Sequence, residues 1–468
     1  MFSEDFIQTT RSLMGEDLFR QLMQGLADKP TVSIRLNPLK AEGWTVADPD
    51  GRVPWCGEGY YLGERPEFTF DPLLHAGLYY VQEASSMFVS HVIHSCVSEP
   101  SLVLDLCAAP GGKSGVALGA LPEGSVLVSN EPVRTRANVL SENIRKMGAV
   151  DVMVSNNFPK DFRRLNFQFD VVLADVPCSG EGMFRKDEGA RAEWSAAHVD
   201  ACQALQRSIV TDIWPCLREG GLLVYSTCTF NRKEDEDNVD WLVEHLGAER
   251  VSVKVKPEWF ITGNLTGDGP VYRFLPGLLR GEGLFLAVLR KPGSAPQVLP
   301  VLTREKGRKN RSHKPDAIPK KCKSWMCDAD RYAFSQHGDR IVAVPTRWQA
   351  VYEEAARKLS LLQAGVTVAS LKGRAVIPDE SLALSTSLRA DAFPRFDLTY
   401  GDAMAYLSRQ PIVLSPSAPR GFVLVSFEHM PLGFVNNLGT RANNLFPSEW
   451  KVRNQNWPAS SPCILRRQ

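Results

Sequence analysis

Between residue 98 and about residue 292 the chain alternates short apolar runs with longer amphipathic segments. SLVLDLC, SVLVSN, DVMVSN, FDVVLAD and GGLLVYST read as five strands, and RTRANVLSENIRKMG and CQALQRSIVTDIWPCL between them carry apolar residues at three- and four-residue spacing. Strands that are apolar throughout, separated by helices, predict a mostly parallel sheet covered on both faces. VYRFLPG and EGLFLAVLRK are later strand candidates for the same sheet. Residues 1–97 open with two short helical patterns, FIQTTRSLMG and EDLFRQLMQGL, followed by the alternating strand TVSIRLN, which the proline of NPLK stops. They form a small α+β domain. After the sheet domain, 98–292, come a linker at 293–323, a small intermediate domain at 324–400 with helix YEEAARKLSLLQAG and strand VTVASLKGR, and a β-rich module at 401–468 containing GFVLVSF and PLGFVNN. The fold class is α/β, an αβα sandwich flanked by smaller modules.

Composition narrows the setting. Hydrophobic residues are 44% and charged residues 23% of 468, an ordinary globular balance that excludes a wholly disordered or fibrous chain. Ten cysteines are too sparse for a disulfide scaffold, so a reducing, cytoplasmic setting is expected. No run approaches the length of a membrane span, so no membrane partner is expected. The net charge is only +1, yet Arg304 to Lys323 carries nine Lys or Arg against Glu305 and Asp316. That segment reads either as a hydrated linker or as a contact for a phosphate backbone.

Candidate chemistry lies at the strand ends, where open parallel sheets bind ligands. The first strand runs into Cys107, Ala108, Ala109, Pro110, Gly111, Gly112 and Lys113, a tight turn into a helix that lets backbone approach a ligand. Its glycine spacing is neither the dinucleotide G-x-G-x-x-G nor the Walker pattern. Glu131, just beyond the second strand, is placed to accept hydrogen bonds from ribose hydroxyls. Asp175, Pro177 and Cys178 follow the fourth strand, and Cys228 follows the fifth, so two thiols far apart in sequence can converge on one crevice. A thiol beside a methyl donor suits cytosine C5, a poor nucleophile until a thiolate adds at C6. Arg185 and Lys186 are candidates for substrate phosphate. Glu234, Asp235 and Glu236 read as helix-start acids outside the catalytic set. His91, His94 and Cys96 lack the paired spacing of a zinc site, and no metal is expected.

AAPGGK, DVPCSGEGMFRK and YSTCT together resemble the bacterial ribosomal-RNA branch of the RNA 5-methylcytosine methyltransferases. The resemblance extends through SIRLNPL, VPWCGEGYYL and LYYVQEASSM upstream, and VNNLGTRANNLFPSEW resembles the family's terminal PUA-like, RNA-binding module. It implies a Rossmann-like methyltransferase fold, S-adenosylmethionine as cofactor, and ribosomal RNA, the 16S molecule free or within a small subunit or assembly intermediate, as partner. It assigns the nucleophile to Cys228, product release to Cys178, cytosine orientation to Asp175, and donor binding to residues 107–113, Glu131 and Asp175. Relatives carry an acid near the third strand end to address the adenine. Here Asn156 and Asn157 stand there instead, and an asparagine amide offers both an acceptor and donors. The alternatives are a transfer-RNA cytosine-C5 methyltransferase with the same residues, and a non-enzymatic RNA-binding or ribosome-assembly protein that keeps the body of an enzyme. Neither the target cytosine nor the oligomeric state can be read from the sequence.

Overall fold

The computed structural model describes residues 2–300 and 318–468. Five apolar runs form the parallel core of a nine-stranded sheet: Leu102–Asp105, Val126–Asn130, Val152–Ser155, Phe169–Asp175 and Leu217–Thr227, here called the first to fifth strands. The first and third are buried along their whole length, as a parallel sheet covered on both faces requires. In space they run third, second, first, fourth, fifth, so the order reverses beside the first strand. That reversal opens a crevice between the first and fourth strands at their carboxyl ends. Leu284–Arg290 pairs antiparallel with the fifth strand and carries Tyr272–Phe274 and Glu249–Arg250 on its other side.

The opposite edge is closed from far along the chain. Leu361–Ala364 pairs antiparallel with the third strand, Leu361 opposite Ser155 and Ala364 opposite Met153. The sequence reading had continued helix YEEAARKLSLLQAG through this segment, but the helix spans Gln349–Lys358 and stops. Pairing with an exposed sheet edge outweighs a helical pattern only a few residues long. This strand ties the intermediate region to the central sheet. That region's own four-stranded sheet comprises Tyr332–His337, Arg340–Pro345, Val366–Lys372 and Ala375–Pro378. The terminal module begins before residue 401, because Arg395–Asp397 pairs parallel with Gly421–Phe427 in its sheet. Of the basic segment, residues 304–317 lie outside the described residues. Lys320, Lys321 and Lys323 sit exposed on the short helix Lys320–Ser324, while Cys322 is buried.

The N-terminal helix Glu4–Ala27 is kinked where Gly15 takes φ 71°, which accounts for the two helical patterns in its sequence. It lays Phe6, Phe19, Leu22 and Leu26 against Phe184, Trp194 and Phe230 of the segments that follow the fourth and fifth strands. Residues after it form the three-stranded sheet Gly59–Leu62, Val32–Leu36, Tyr79–Val81. This sheet shares one core with the terminal module. Ile34, Leu36, Leu73 and Tyr79 pack with Leu398, Tyr406, Leu407, Val425 and Phe446, and Trp44–Val46 pairs with Leu465–Arg467 at the chain's other end. Among the described residues no helix is long and apolar enough to cross a membrane.

Leu407 is fully buried in that shared core. Leu407→Ala is expected to cost about 2–5 kcal/mol, read as a lower urea midpoint, and to loosen the N-terminal domain and terminal module together in hydrogen exchange.

Candidate active site

The first strand ends in Asp105, which is fully buried and accepts a 2.6 Å hydrogen bond from Ser114 Oγ. Its other oxygen has no hydrogen-bond partner. Burial pushes this carboxyl up to about 7, against the Ser114 bond that lowers it. The turn after it reaches Gly111, whose φ of 115° places it in the region that favours glycine, and the helix Gly112–Ala120 starts there. Neighbouring elements hold the turn: Ala108 N–H donates to the Asn130 carbonyl (2.8 Å), Arg136 to Ala109 O (3.0 Å), and Asn143 Nδ2 to Pro110 O (2.8 Å). Burial pushes the Cys107 thiol far above its ordinary range, and the charges of Asp105, Asp175 and Glu131 push it further. It is not the ionisable thiol of the site.

Glu131, only 1% exposed, closes the second strand end. One oxygen accepts from Val133 N–H (3.0 Å). The other has no hydrogen-bond partner and lies 3.4 Å from Arg136 Nη1. Of the two asparagines, Asn156 donates through Nδ2 to the carbonyls of Glu131 (2.7 Å) and Pro132 (2.9 Å). Asn157 binds Ser360 through both ends of its amide and so docks the edge strand that follows.

The fourth and fifth strand ends bring the remaining groups together. Lys113 Nζ lies 2.8 Å from Asp175 Oδ2, and Ser226 Oγ donates to Asp175 Oδ1 (2.8 Å). Burial works to lower Lys113, but the Asp175 charge outweighs it and the ammonium is raised. The sulfurs of Cys178 and Cys228 are 3.1 Å apart. The contact with Cys228, with burial added, holds the Cys178 thiol well above its ordinary value, so Cys178 keeps its proton. Gly182 lies against the backbone of Cys228: its N–H donates to Cys228 O (2.6 Å), and a Cβ there would stand 2.9 Å from that oxygen.

Three family models match successive parts of the chain. They describe the N-terminal domain of 16S rRNA methyltransferase RsmF over residues 2–84, 16S rRNA methyltransferase RsmB/F over residues 96–290, and the methyltransferase RsmF PUA domain over residues 393–452. The chain is similar to the RsmB/F methyltransferases along nearly its whole length. Ribosomal RNA small subunit methyltransferase F of Serratia proteamaculans is 28% identical over 474 residues, 95% of each chain. The protein of the same name from Salmonella paratyphi A is 29% identical over 485 residues, 96% of each chain. Among solved structures, a methyltransferase homolog protein from Pyrococcus horikoshii is 26% identical with a TM-score of 0.52, covering 62% of this chain and 95% of that one. NSun6 from Pyrococcus horikoshii with SFG, at 19% identity and a TM-score of 0.53, covers 63% of this chain and 99% of that one and shares the fold.

The sequence reading missed the acids behind the thiols. Glu234, Asp235 and Glu236, read above as helix-start acids outside the catalytic set, are fully buried. Asp235 accepts from Thr227 Oγ1 (2.7 Å) and Thr229 Oγ1 (2.9 Å), and it lies 3.0 Å from Arg273, which also pairs with Glu236. Glu181 is equally buried, and burial pushes it up to about 7 with the Glu234 charge adding to the shift. The run of acids was visible in the sequence, but its partner Arg273 lies on a strand 37 residues beyond Glu236. Arg185 is likewise not free for phosphate. It pairs with Glu282 (2.7 Å) and donates to Gly25 O (3.0 Å) and Gly281 O (2.6 Å).

Asp105 supplies a pH test. Because its folded value of about 7 lies above the ordinary 3.8, its contribution to stability is complete below about pH 4 and is lost as pH rises to about 7. Asp105→Asn carries no such charge, so the stability advantage of the parent over the variant should shrink across that window in urea titrations.

Proposed function

We propose that this protein transfers a methyl group from S-adenosylmethionine to C5 of a cytosine in 16S ribosomal RNA, through a covalent bond between Cys228 and C6 of the base. The approach of two thiols to 3.1 Å beside the Lys113–Asp175 pair carries this reading. The three matched segments and the similarity to small-subunit ribosomal RNA methyltransferases support the substrate class.

The cradle suits the donor. One oxygen each of Asp105 and Glu131 accepts no hydrogen bond, and both are buried acceptors at the ends of neighbouring strands, where a nucleoside offers hydroxyl donors. In the turn at 107–113, Gly111 and Gly112 carry no Cβ, and the oxygen of the Asn156 amide suits an exocyclic amino group, since its Nδ2 is already committed. Bound there, S-adenosylmethionine supplies an electrophilic methyl group.

The chain's residues do the rest. The Cys228 thiolate adds to C6, and the electron pair this releases into the ring makes C5 the nucleophile. After methylation the C5 proton passes to solvent water, the C5–H electron pair re-forms the C5–C6 double bond, and the C6–S bond breaks to release the Cys228 thiolate, restoring the aromatic ring. Cys178, held protonated, is the proton source next to the departing sulfur. Asp175, fixed by Lys113 and Ser226, faces the N3 and amino edge of the base. Arg441, Lys451 and Arg453, exposed on the terminal module, provide phosphate contacts. Trp450 is a packing residue of this module, buried against Phe446 with Arg145 5.8 Å from its ring.

Cys228→Ala should abolish single-turnover methylation of 16S RNA while leaving donor affinity within about twofold, because it removes the nucleophile and leaves the cradle intact. Near-normal methylation by this variant would remove Cys228 from the mechanism. Cys178→Ala should form the adduct and fail to resolve it, giving a protein–RNA band that survives denaturing electrophoresis. Offering deproteinised 16S RNA and assembled small subunits in parallel identifies which form is the substrate.

Glu131→Ala should weaken S-adenosylmethionine binding by about 1–3 kcal/mol through loss of a buried acceptor. Calorimetric titration checks this, and an unchanged affinity would take Glu131 out of the donor site.

A further inference from the structure

The loops that carry the two thiols hold each other through buried carboxylates. Glu181, on the loop after Cys178, accepts from the backbone N–H groups of Phe230 and Asn231 (3.1 Å), from Asn231 Nδ2 (3.0 Å) and from Trp194 Nε1 (2.9 Å). Glu234, on the loop after Cys228, accepts from the Ser179 N–H (3.0 Å) and hydroxyl, from Gln206 Nε2 (2.7 Å) and from Asn231 Nδ2 (2.8 Å). Each acid therefore grips residues beside the other acid's cysteine, and the Asn231 amide bridges the two. Both side chains are fully buried.

Two buried acids so close repel each other, and the Glu234 charge adds to the burial that pushes Glu181 up. The buried Arg273 does not offset this directly, since it pairs with Asp235 and Glu236. A neutral hydrogen-bonding pair would be the cheaper way to join two loops. A carboxylate differs from any amide in being an acceptor on both oxygens, able to take four donors at once. Glutamine at residue 181 would turn an NH2 toward the N–H groups that Glu181 now accepts. The result is a clasp with no slack on either side of the thiol pair.

We propose that Glu181 and Glu234 are positioning residues that set the separation of the Cys178 and Cys228 sulfurs, so that both reach the same base. The proposal rests on the thiol roles given above, but its geometry can be measured without turnover. Dibromobimane becomes fluorescent only after both of its arms react with neighbouring thiols, and peptide mapping of the product locates the bridge. Glu181→Gln and Glu234→Gln should slow bridging of Cys178 to Cys228 by at least about fivefold and single-turnover methylation by at least about tenfold, with donor affinity within about twofold of the parent. Asn231→Ala, which cuts the link between the two acids and leaves both in place, should move both rates in the same direction. The double variant should lose little more than either single one, because the clasp acts as a unit. Parent-like bridging or methylation in Glu181→Gln and Glu234→Gln would overturn the proposal. So would a loss of donor affinity that tracks the loss of methylation in all three single variants, since that marks general unfolding. If Cys228→Ala stays active while bridging still depends on Glu181 and Glu234, the clasp stands and the catalytic assignment falls.

Discussion

Buried irregular backbone has to find hydrogen-bond partners, and that constraint shapes the reacting end of this protein. The fifth strand ends at Thr227 and the next helix does not begin until Glu236. Over the intervening residues the chain makes no ladder, although Thr229, Phe230, Glu234 and Asp235 are buried. Glu181 supplies acceptors to the N–H groups at 230 and 231, Asp235 collects the hydroxyls of Thr227 and Thr229, and Asn231 caps the Glu234 N–H (2.9 Å). Acids are the acceptors that can serve so many donors, and their charge then needs an answer. Arg273 gives it, 1% exposed, from the antiparallel strand Tyr272–Phe274. The antiparallel extension of the sheet is thus tied to the chemistry: without it, Asp235 and Glu236 would be uncompensated buried charges.

The central sheet was legible because its signal is local. Five all-apolar runs between helical patterns specify a parallel sheet, and every one forms a strand. The strand-end motifs were legible for the same reason, since topology places all of them at one edge. What escaped depends on partners distant in sequence. SLLQAG carries no mark that says strand; it becomes one by meeting the third strand roughly 200 residues away. Arg185 looks like a phosphate ligand until Glu282 is seen beside it, and the acids at 234–236 look like a solvated helix start until Arg273 and Glu181 surround them. Charge in a sequence gives the side chain but not its environment, and the environment decides whether the charge binds substrate or holds a loop.

The flanking modules also differ from the order in which the sequence presents them. They stand at opposite ends of the chain, yet the N-terminal sheet and the terminal module share one apolar core and a pair of strands. The N-terminal helix meanwhile packs on the catalytic loops through Phe6, which meets Phe184 and Trp194 edge-on at 5.2 and 5.4 Å. Trp194 in turn donates to Glu181. A continuous path of packed side chains therefore runs from the domain ahead of the methyltransferase sheet to the residues that hold Cys228. Closely packed interiors transmit displacement rather than absorb it. A displacement of the N-terminal helix is therefore passed through Trp194 and Glu181 to the loop that follows Cys228.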